Sequence, residues 1–141
     1  MFSKYAHSLL VALFFATSAY GQNLVDSTQE LPGVWAGDAS WGDYDNDGDL
    51  DLALMGEVFE GGQAQRVVRL FGNEEALLFE DLAMSQQIVG VYHGALAWGD
   101  YDGDGDLDLA VAGWDVSDSE SLSLYRNDFV SRTLQQDLSL I

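Results

Sequence analysis

The sequence contains no cysteine, and only five of its 141 residues are lysine or arginine. Without cysteine, no disulfide can hold the fold together, so core burial, a metal ion or association with other chains has to stabilise it. The lack of cysteine also excludes a thiolate metal site and a thiol nucleophile.

Positive charge is scarce, because five basic residues face 24 acidic ones and the formal net charge is -19. Such a surface repels phosphate backbones, so we expect no nucleic-acid partner. The composition is nevertheless 48% hydrophobic and 12% aromatic, which is too rich in core-forming residues for a disordered acidic tail. The acidic residues must therefore be concentrated and neutralised somewhere in a folded chain.

The first 21 residues have a composition of their own. Lys4 supplies a positive start, residues 9–16 are apolar, and residues 19–21 form a small-x-small site before Gln22. This layout predicts a secretory signal peptide over 1–21, so we expect a secreted protein, either extracellular, at the cell surface or periplasmic. An N-terminal membrane anchor or a buried helix is the alternative, although the run is shorter than the roughly 20 residues of a membrane span. Removal of Lys4 gives a mature charge of 4 − 24 = −20.

The remaining chain contains one unit written twice. "WGDYDNDGDLDLALMG" at 41–56 returns as "WGDYDGDGDLDLAVAG" at 98–113, an offset of 57 residues. "RLFGN" at 69–73 is echoed more weakly by "LYRN" at 124–127, three residues out of register. A short insertion near 56–65 would explain that shift. We therefore divide the mature chain into repeat 1 over 22–78 and repeat 2 over 79–141.

Each repeat is predicted to be all-β. Leu50, Leu52 and Leu54 alternate with Asp51, Ala53 and Met55, and Leu107, Leu109 and Val111 alternate in the same way. A period of two predicts a strand with one buried face. We expect further strands over 65–73 and 121–127, loops over 60–65 and 115–121, and a short strand at Leu77 to Glu80 inside the connector 74–89. No long amphipathic helix is predicted after the signal peptide.

Both repeats carry aspartate at positions 1, 3, 5, 7 and 9 of a short loop, with glycine at position 6. Carboxylates at this spacing can converge on a divalent cation if the glycine allows a sharp turn. Oxygen ligands without histidine or cysteine select a hard cation, calcium before magnesium or manganese. We predict two Ca²⁺ sites, with side-chain ligands at positions 1, 3, 5 and 9 and a backbone carbonyl at position 7. The ten aspartates are Asp43, Asp45, Asp47, Asp49, Asp51, Asp100, Asp102, Asp104, Asp106 and Asp108.

An EF-hand begins with the same spacing of aspartates. It needs a glutamate at position 12 and flanking helices, whereas position 12 is Leu54 in one loop and Val111 in the other. A solvated acidic turn without metal is the second alternative, and the duplication of the whole loop argues against it.

The motif Trp-Gly-Asp-Tyr-Asp-x-Asp-Gly-Asp-Leu-Asp-Leu, followed by "LYRN", resembles the FG-GAP/VCBS repeat family, including the calcium loops of integrin α subunits. The resemblance covers most of 24–128 and implies four-stranded antiparallel blades of a β-propeller, with calcium held by all ten aspartates. The Gly-Ala-Pro that often follows integrin-type loops is replaced by residues 55–57 and 112–114, which removes a specific argument for integrin-like adhesion. Two blades make an incomplete propeller, so further blades in a longer chain or self-association are expected.

The expected function is a secreted calcium-binding module whose calcium is structural and whose exposed loops bind a protein or carbohydrate. No enzyme is expected, because His93 is the only histidine of the mature chain and neither a nucleophile elbow nor a phosphate loop occurs. The alternative is an accessory propeller part of an extracellular calcium-dependent hydrolase or lyase.

Several side chains outside the loops have expected roles. Trp41 and Trp98 hold equivalent places and should pack in the blades, although a carbohydrate-stacking platform is the alternative. Trp35 and Trp114 are the better candidates for exposed contacts. We expect Arg69 and Arg126 to neutralise nearby carboxylates, and His93 to be a structural residue.

Overall fold

The computed structural model describes residues 31–75, 77–128 and 130–140, and for 138–140 it describes the backbone alone. The predicted signal peptide lies outside these residues. The elements are β1 (Trp35–Gly42), β2 (Asp51–Glu60), β3 (Gln63–Glu74), β4 (Leu77–Glu80), α1 (Leu82–Ser85), β5 (Tyr92–Gly99), β6 (Asp108–Trp114), β7 (Glu120–Asp128) and β8 (Thr133–Leu140).

The strands form two four-stranded sheets, in the orders β1-β2-β3-β4 and β5-β6-β7-β8. Every neighbouring pair is antiparallel, so each sheet is a simple meander. The all-β prediction and the short strand at Leu77–Glu80 are confirmed. The expected repeat boundary between residues 78 and 79 falls inside β4. None of the described helices is long and apolar enough to cross a membrane.

The connection between β2 and β3 is tighter than the predicted loop over 60–65. Only Gly61 and Gly62 form the turn, with φ values of 61° and 84°, and strand pairing continues to Glu60↔Gln63. Two adjacent residues with positive φ suit a two-residue hairpin, and glycine adopts them without strain. The insertion expected near this point therefore lengthens two strands.

A short helix that was not predicted follows β4. Asp81 caps it, because its Oδ1 accepts a hydrogen bond from the Met84 amide at 3.0 Å. Met84 and Ile88 then enter the hydrophobic core. The helix is only four residues long, which is too short to leave a periodic pattern in the sequence.

The two sheets pack face to face around one hydrophobic core. Ala53, Met55 and Leu70 of the first sheet face Leu109, Val111 and Tyr125 of the second across this core. Leu52, Leu54 and Phe71 form a second cluster on the opposite face of the first sheet.

The prediction of one buried face per central strand was wrong for β2. Asp51, Ala53 and Met55 are fully buried together with Leu52 and Leu54, while Leu50 is 50% exposed. The physical reason is layering. The second sheet covers the face that alternation assigned to solvent, while Val34, Trp41 and Leu78 pack on the other face.

Contacts between the sheets run along β1 and β5. The Leu96 amide donates to Asp38 Oδ2 at 2.9 Å, and Trp98 Nε1 donates to Ser40 O at 3.3 Å. The Trp98 ring stacks on Tyr44, with centroids 6.0 Å apart and planes 8° from parallel. These contacts place the end of β5 beside the end of β1, where the two aspartate loops begin.

Candidate metal sites

The aspartate runs occupy equivalent connections in the two sheets. Loop 1 is residues 43–51, between β1 and β2, and loop 2 is residues 100–108, between β5 and β6. In each loop, carboxylate oxygens from positions 1, 3 and 9 lie within 4.8 Å of one another. The two groups are Asp43, Asp45 and Asp51, and Asp100, Asp102 and Asp108.

Position 9 joins each loop to its sheet. Asp51 is fully buried, and its two oxygens accept from the backbone amides of Tyr44 at 3.0 Å and Asn73 at 2.8 Å. Asp108 is buried in the same way and accepts from Tyr101 at 2.9 Å and Asn127 at 2.8 Å. One carboxylate therefore ties the start of the loop to the third strand of the sheet.

Position 1 shapes the turn around itself. Asp43 accepts from the amides of Asp47 at 3.0 Å and Gly48 at 3.1 Å. Gly48 has a φ of 98°, in the region that glycine adopts without strain. Asp100 and Gly105 repeat this arrangement, with a hydrogen bond of 3.2 Å and a φ of 99° at Gly105. The glycine at position 6 thus takes the positive φ that a sharp turn needs in both loops.

Position 3 carries the least satisfied oxygen of the first group. Asp45 Oδ1 is buried and has no hydrogen-bond partner among the described residues. Burial is the main cause that raises the pKa of Asp45, followed by the neighbouring charge of Asp47. A buried carboxylate oxygen without a donor is costly unless a cation compensates for it.

Burial, and to a lesser degree the crowding of carboxylates, also perturbs position 9. Burial raises the pKa of Asp51 to about 6, against the lowering effect of the Asn73 and Tyr44 amides, and Asp45 raises it further. In loop 2, burial and then the charges of Asp104 and Asp108 raise the pKa of Asp102, although the Asp104 amide lowers it. Both sites thus hold more negative charge than their surroundings stabilise.

Arginines of the described chain partly compensate this charge at both sites, since the charge of Arg132 lowers the pKa of Asp45. Arg126 Nη1 lies 4.0 Å from Asp102, and Arg126 Nε lies 3.6 Å from Asp137. Arg69 pairs with Glu60 at 2.8 Å and Glu80 at 3.7 Å. The predicted neutralising role therefore holds for both arginines, but of these two only Arg126 lies beside a loop aspartate.

The residues present fit a hard divalent cation. Each group offers only carboxylate oxygens, which converge on one point. Backbone amides hold these carboxylates in place, and the lone pairs that accept no hydrogen bond could bind a cation. Oxygen-only donor sets suit calcium, magnesium or manganese. A bound cation would also give the buried Asp45 Oδ1, which has no hydrogen-bond partner among the described residues, the partner that it lacks.

Positions 5 and 7 lie outside the converged groups. Asp47 Oδ1 accepts from the Asp49 amide at 2.8 Å, and Asp104 Oδ1 accepts from the Asp106 amide at 2.9 Å. Asp106 Oδ1 also accepts from Asn46 Nδ2 at 2.7 Å, which links the two loops. The structure thus brings together six of the ten predicted ligands, and Asp47, Asp49, Asp104 and Asp106 form the outer part of each loop.

Two asparagines at the sites were not predicted from the sequence. Besides the backbone bonds to position 9, Asn73 Nδ2 donates to Leu50 O at 3.0 Å and Asn127 Nδ2 donates to Tyr44 O at 2.7 Å. The sequence did contain a signal for them, because the repeated segments "LFGN" and "LYRN" both end in this asparagine.

The aromatic residues are divided as expected between packing and exposure. Trp41 and Trp98 pack against the two hydrophobic clusters, whereas Trp35 and Trp114 are exposed. Trp35 contacts the His93 ring edge-on at 5.1 Å and lies 6.2 Å from the Tyr92 ring. This exposed group sits at the start of β1 and β5, at the end of the sheets opposite the aspartate loops.

Comparisons with protein-family models, with curated proteins and with solved structures give no match for this chain.

Proposed function

We propose that this chain is a secreted calcium-binding repeat module of the FG-GAP/VCBS kind, in which each four-stranded sheet is one propeller blade and calcium is structural. One observation carries the proposal: the same three aspartates converge at positions 1, 3 and 9 of both loops. A coincidental acidic turn would not need the same buried, doubly hydrogen-bonded carboxylate in each repeat.

Asp43, Asp45 and Asp51 would hold one ion, and Asp100, Asp102 and Asp108 the other. The calcium would supply positive charge to a loop in which like charges repel. The chain itself supplies the preorganisation, because position 9 is fixed by backbone amides from the first loop residues and from the third strand. Bound calcium would therefore fasten the loop, the following strand and the third strand together.

Calorimetric titration of calcium into the chelated mature chain tests this proposal, with an expected stoichiometry of two. Asp45→Ala should reduce the stoichiometry to one, because it removes the oxygen that has no other partner. Asp128→Asn is the matched control. Asp128 also accepts from a backbone amide, that of Ser131 at 3.0 Å, but lies outside both loops, so two ions should still bind. Absence of calcium binding to the unaltered chain would refute the proposal.

We place the protein- or carbohydrate-binding surface at the exposed aromatic group around Trp35. Trp35 is 61% exposed and its ring is held by His93 and Tyr92, as a stacking platform for a sugar or an apolar side chain requires. Arg66 lies over the Tyr92 ring at 4.2 Å and stiffens this end. Screening a glycan array with the calcium-loaded chain and with Trp35→Ala tests this assignment, and Val116→Ala is a control at another exposed residue. Equal binding by all three proteins would contradict it.

Among the described residues, we find no group of side chains that suggests a catalytic site. His93 is exposed and contacts aromatic rings, and the aspartates that converge are all assigned to metal. The alternative, an accessory part of an extracellular calcium-dependent hydrolase or lyase, would place the catalytic residues on another domain. Assay of the mature chain against polysaccharides and phosphoesters should therefore give no turnover.

A further inference from the structure

Asn73 and Asn127 occupy equivalent places on the third strands of the two sheets, but their side chains make different contacts. Asn73 Nδ2 donates to the carbonyl of Leu50 at 3.0 Å, inside its own loop. Asn127 Nδ2 donates instead to the carbonyl of Tyr44 at 2.7 Å, in the loop of the other sheet. The backbone amide of each asparagine also binds the carboxylate at position 9 of its own loop. Asn127 therefore contacts both aspartate loops, whereas these bonds of Asn73 stay within one.

Three hydrogen bonds thus join the buried carboxylate of loop 2 to that of loop 1. Asp108 Oδ1 accepts from the Asn127 amide at 2.8 Å, and Asn127 Nδ2 donates to the Tyr44 carbonyl. The Tyr44 amide then donates to Asp51 Oδ2 at 3.0 Å. All four residues are at most 3% exposed. Because hydrogen bonds are stronger in a buried site than in water, a constraint on one carboxylate is passed on to the other.

Tyr44 fastens loop 1 to the second sheet, whereas its counterpart Tyr101 leaves loop 2 attached to its own sheet. The Tyr44 ring stacks on Trp98 of β5. Tyr101 is 45% exposed, and its hydroxyl donates to Asp137 of β8. The contact of loop 1 with the second sheet is therefore the element that links the two candidate metal sites.

A second contact joins the loops at the surface. Asn46 Nδ2 donates to Asp106 Oδ1 at 2.7 Å, and this bond is exposed. Asn46 has a φ of 59°, while the counterpart in loop 2 is Gly103 with a φ of 79°. Loop 1 thus carries a side chain that reaches loop 2, at a position where loop 2 has none.

We infer that the two proposed calcium ions bind with positive coupling, and that Asn127 is the positioning residue through which each site orders the other. The inference deepens the proposed function, since it rests on the two calcium sites proposed there. An ion in loop 1 would fix Asp51 and the Tyr44 peptide, which holds the Asn127 side chain. Asp108 would then be ordered before the second ion binds. A ligand that finds its residues already ordered binds more tightly, and such coupling is reciprocal.

Repulsion between the two ions acts in the opposite direction. Each ion lowers the negative potential that attracts the other, but the loops are largely exposed and salt screens charges at such sites. The hydrogen bonds through Asn127 are buried, so salt weakens them much less. The coupling should therefore persist at about 1 M salt, where the Debye length is about 3 Å.

Calorimetric titration of residues 22–141 and of two single-site variants measures the coupling. Asp102→Ala should leave only the site in loop 1, and Asp45→Ala only the site in loop 2. The overall constant for binding two ions to the unaltered chain should exceed the product of the two single-site constants at least about fivefold. Two bound ions without this excess would overturn the inference and leave the calcium sites in place. No binding to the unaltered chain would refute the proposed function itself.

Asn127→Ala and Asn73→Ala form a matched pair. Each keeps the backbone amide that binds position 9 and removes one side-chain donor. Asn127→Ala should remove most of the excess, whereas Asn73→Ala should keep it, because its lost bond lies inside one loop. The two variants carry the same charge, so repulsion between the ions is the same in both. Equal coupling in the two variants would show that Asn127 does not carry it.

Asn46→Gly tests the surface contact in a chain whose fold is not at risk. It gives loop 1 the residue that loop 2 has at this position, and glycine adopts a φ of 59° without strain. The coupling should fall about twofold, as expected for the loss of one exposed hydrogen bond. Unchanged coupling would remove Asn46 from the account.

Nuclear magnetic resonance follows the coupling with Asn127 unaltered, and so decides the matter even if Asn127→Ala does not fold. In Asp102→Ala, loop 2 should hold no ion, but Asp108 still accepts from the Asn127 backbone amide. Calcium bound in loop 1 should shift the resonance of this amide, with the same midpoint as the calorimetric titration. A resonance that stays in place while one ion binds would overturn the inference.

Discussion

Asp108→Asn is the substitution that separates the structural role of position 9 from its proposed metal-binding role. Asp108 is buried and accepts from the amides of Tyr101 and Asn127 at 2.9 and 2.8 Å. Asparagine has the same shape, but it replaces one carboxylate oxygen with a donor. One backbone amide therefore loses its acceptor, and the site loses one negative charge.

The magnitude follows from these two losses. A buried amide left without an acceptor costs about 1–3 kcal/mol, and in chelator the relief of repulsion from Asp100 and Asp102 offsets part of it. In calcium at about 100 times the dissociation constant, a lost site removes about 2.7 kcal/mol more from the free energy of unfolding. The total of about 4–6 kcal/mol is comparable to the whole stability of a small domain.

Urea unfolding in calcium and in chelator measures both parts. Asp115→Asn is the control, because Asp115 Oδ1 also accepts from two backbone amides, those of Ser117 at 2.7 Å and Ser119 at 3.3 Å, but no loop aspartate is involved. Its cost should be the same in both conditions. If Asp108→Asn also destabilises the chain equally with and without calcium, the metal-binding role of position 9 is wrong.

Three other predictions concern the core, the contact between the sheets and pH. Met55→Ala empties a fully buried place between the sheets and should lower the free energy of unfolding in urea by about 2–5 kcal/mol; a loss below that of a surface substitution would contradict the layered core. Asn127→Ala leaves the buried carbonyl of Tyr44 without its donor and should cost about 1–3 kcal/mol, whereas full stability by the same assay would show that this bond is unimportant. The raised pKa of Asp51, about 6 against an ordinary 3.8, means that the folded calcium-free chain binds a proton more tightly than the unfolded chain. Its stability, followed by thermal unfolding in chelator, should therefore rise as the pH falls from 7 through 6 towards 4, and a fall over this range would refute the raised pKa of this buried carboxyl.

Local sequence patterns predicted the strands well, because a strand and its turns are determined by neighbouring residues. The alternation in "LDLALM" and "LDLAVA" marks β2 and β6, and the duplication predicts that the second sheet repeats the first. The strand at Leu77–Glu80 was also predicted. The four-residue helix after it was not, since one turn has no periodicity to detect.

Burial could not be read from alternation, because it depends on which sheet stacks on which face. Met55 looks like a solvent-side residue of a two-faced strand, yet it is fully buried because it lies in the core between the two sheets. Leu50 shows the reverse error: it continues the leucine series but precedes β2 and is half exposed.

The candidate sites were predicted as far as spacing allows. The five-aspartate pattern predicts that the carboxylates of Asp43 and Asp51 converge, and in the structure their oxygens lie within 4.8 Å of each other. Spacing alone cannot show that Asp47 turns towards the Asp49 amide. It also cannot show that Asn73, on the third strand, orients Asp51, because that contact joins residues 22 positions apart.

Calcium binding by the two aspartate loops is tested most directly by a crystal structure of residues 22–141 grown with calcium. We expect anomalous density at one position in each loop, about 2.3–2.6 Å from carboxylate oxygens of Asp43, Asp45 and Asp51 and of Asp100, Asp102 and Asp108. Ordered loops without density at these positions, in crystals grown with saturating calcium, would contradict calcium binding by the loops.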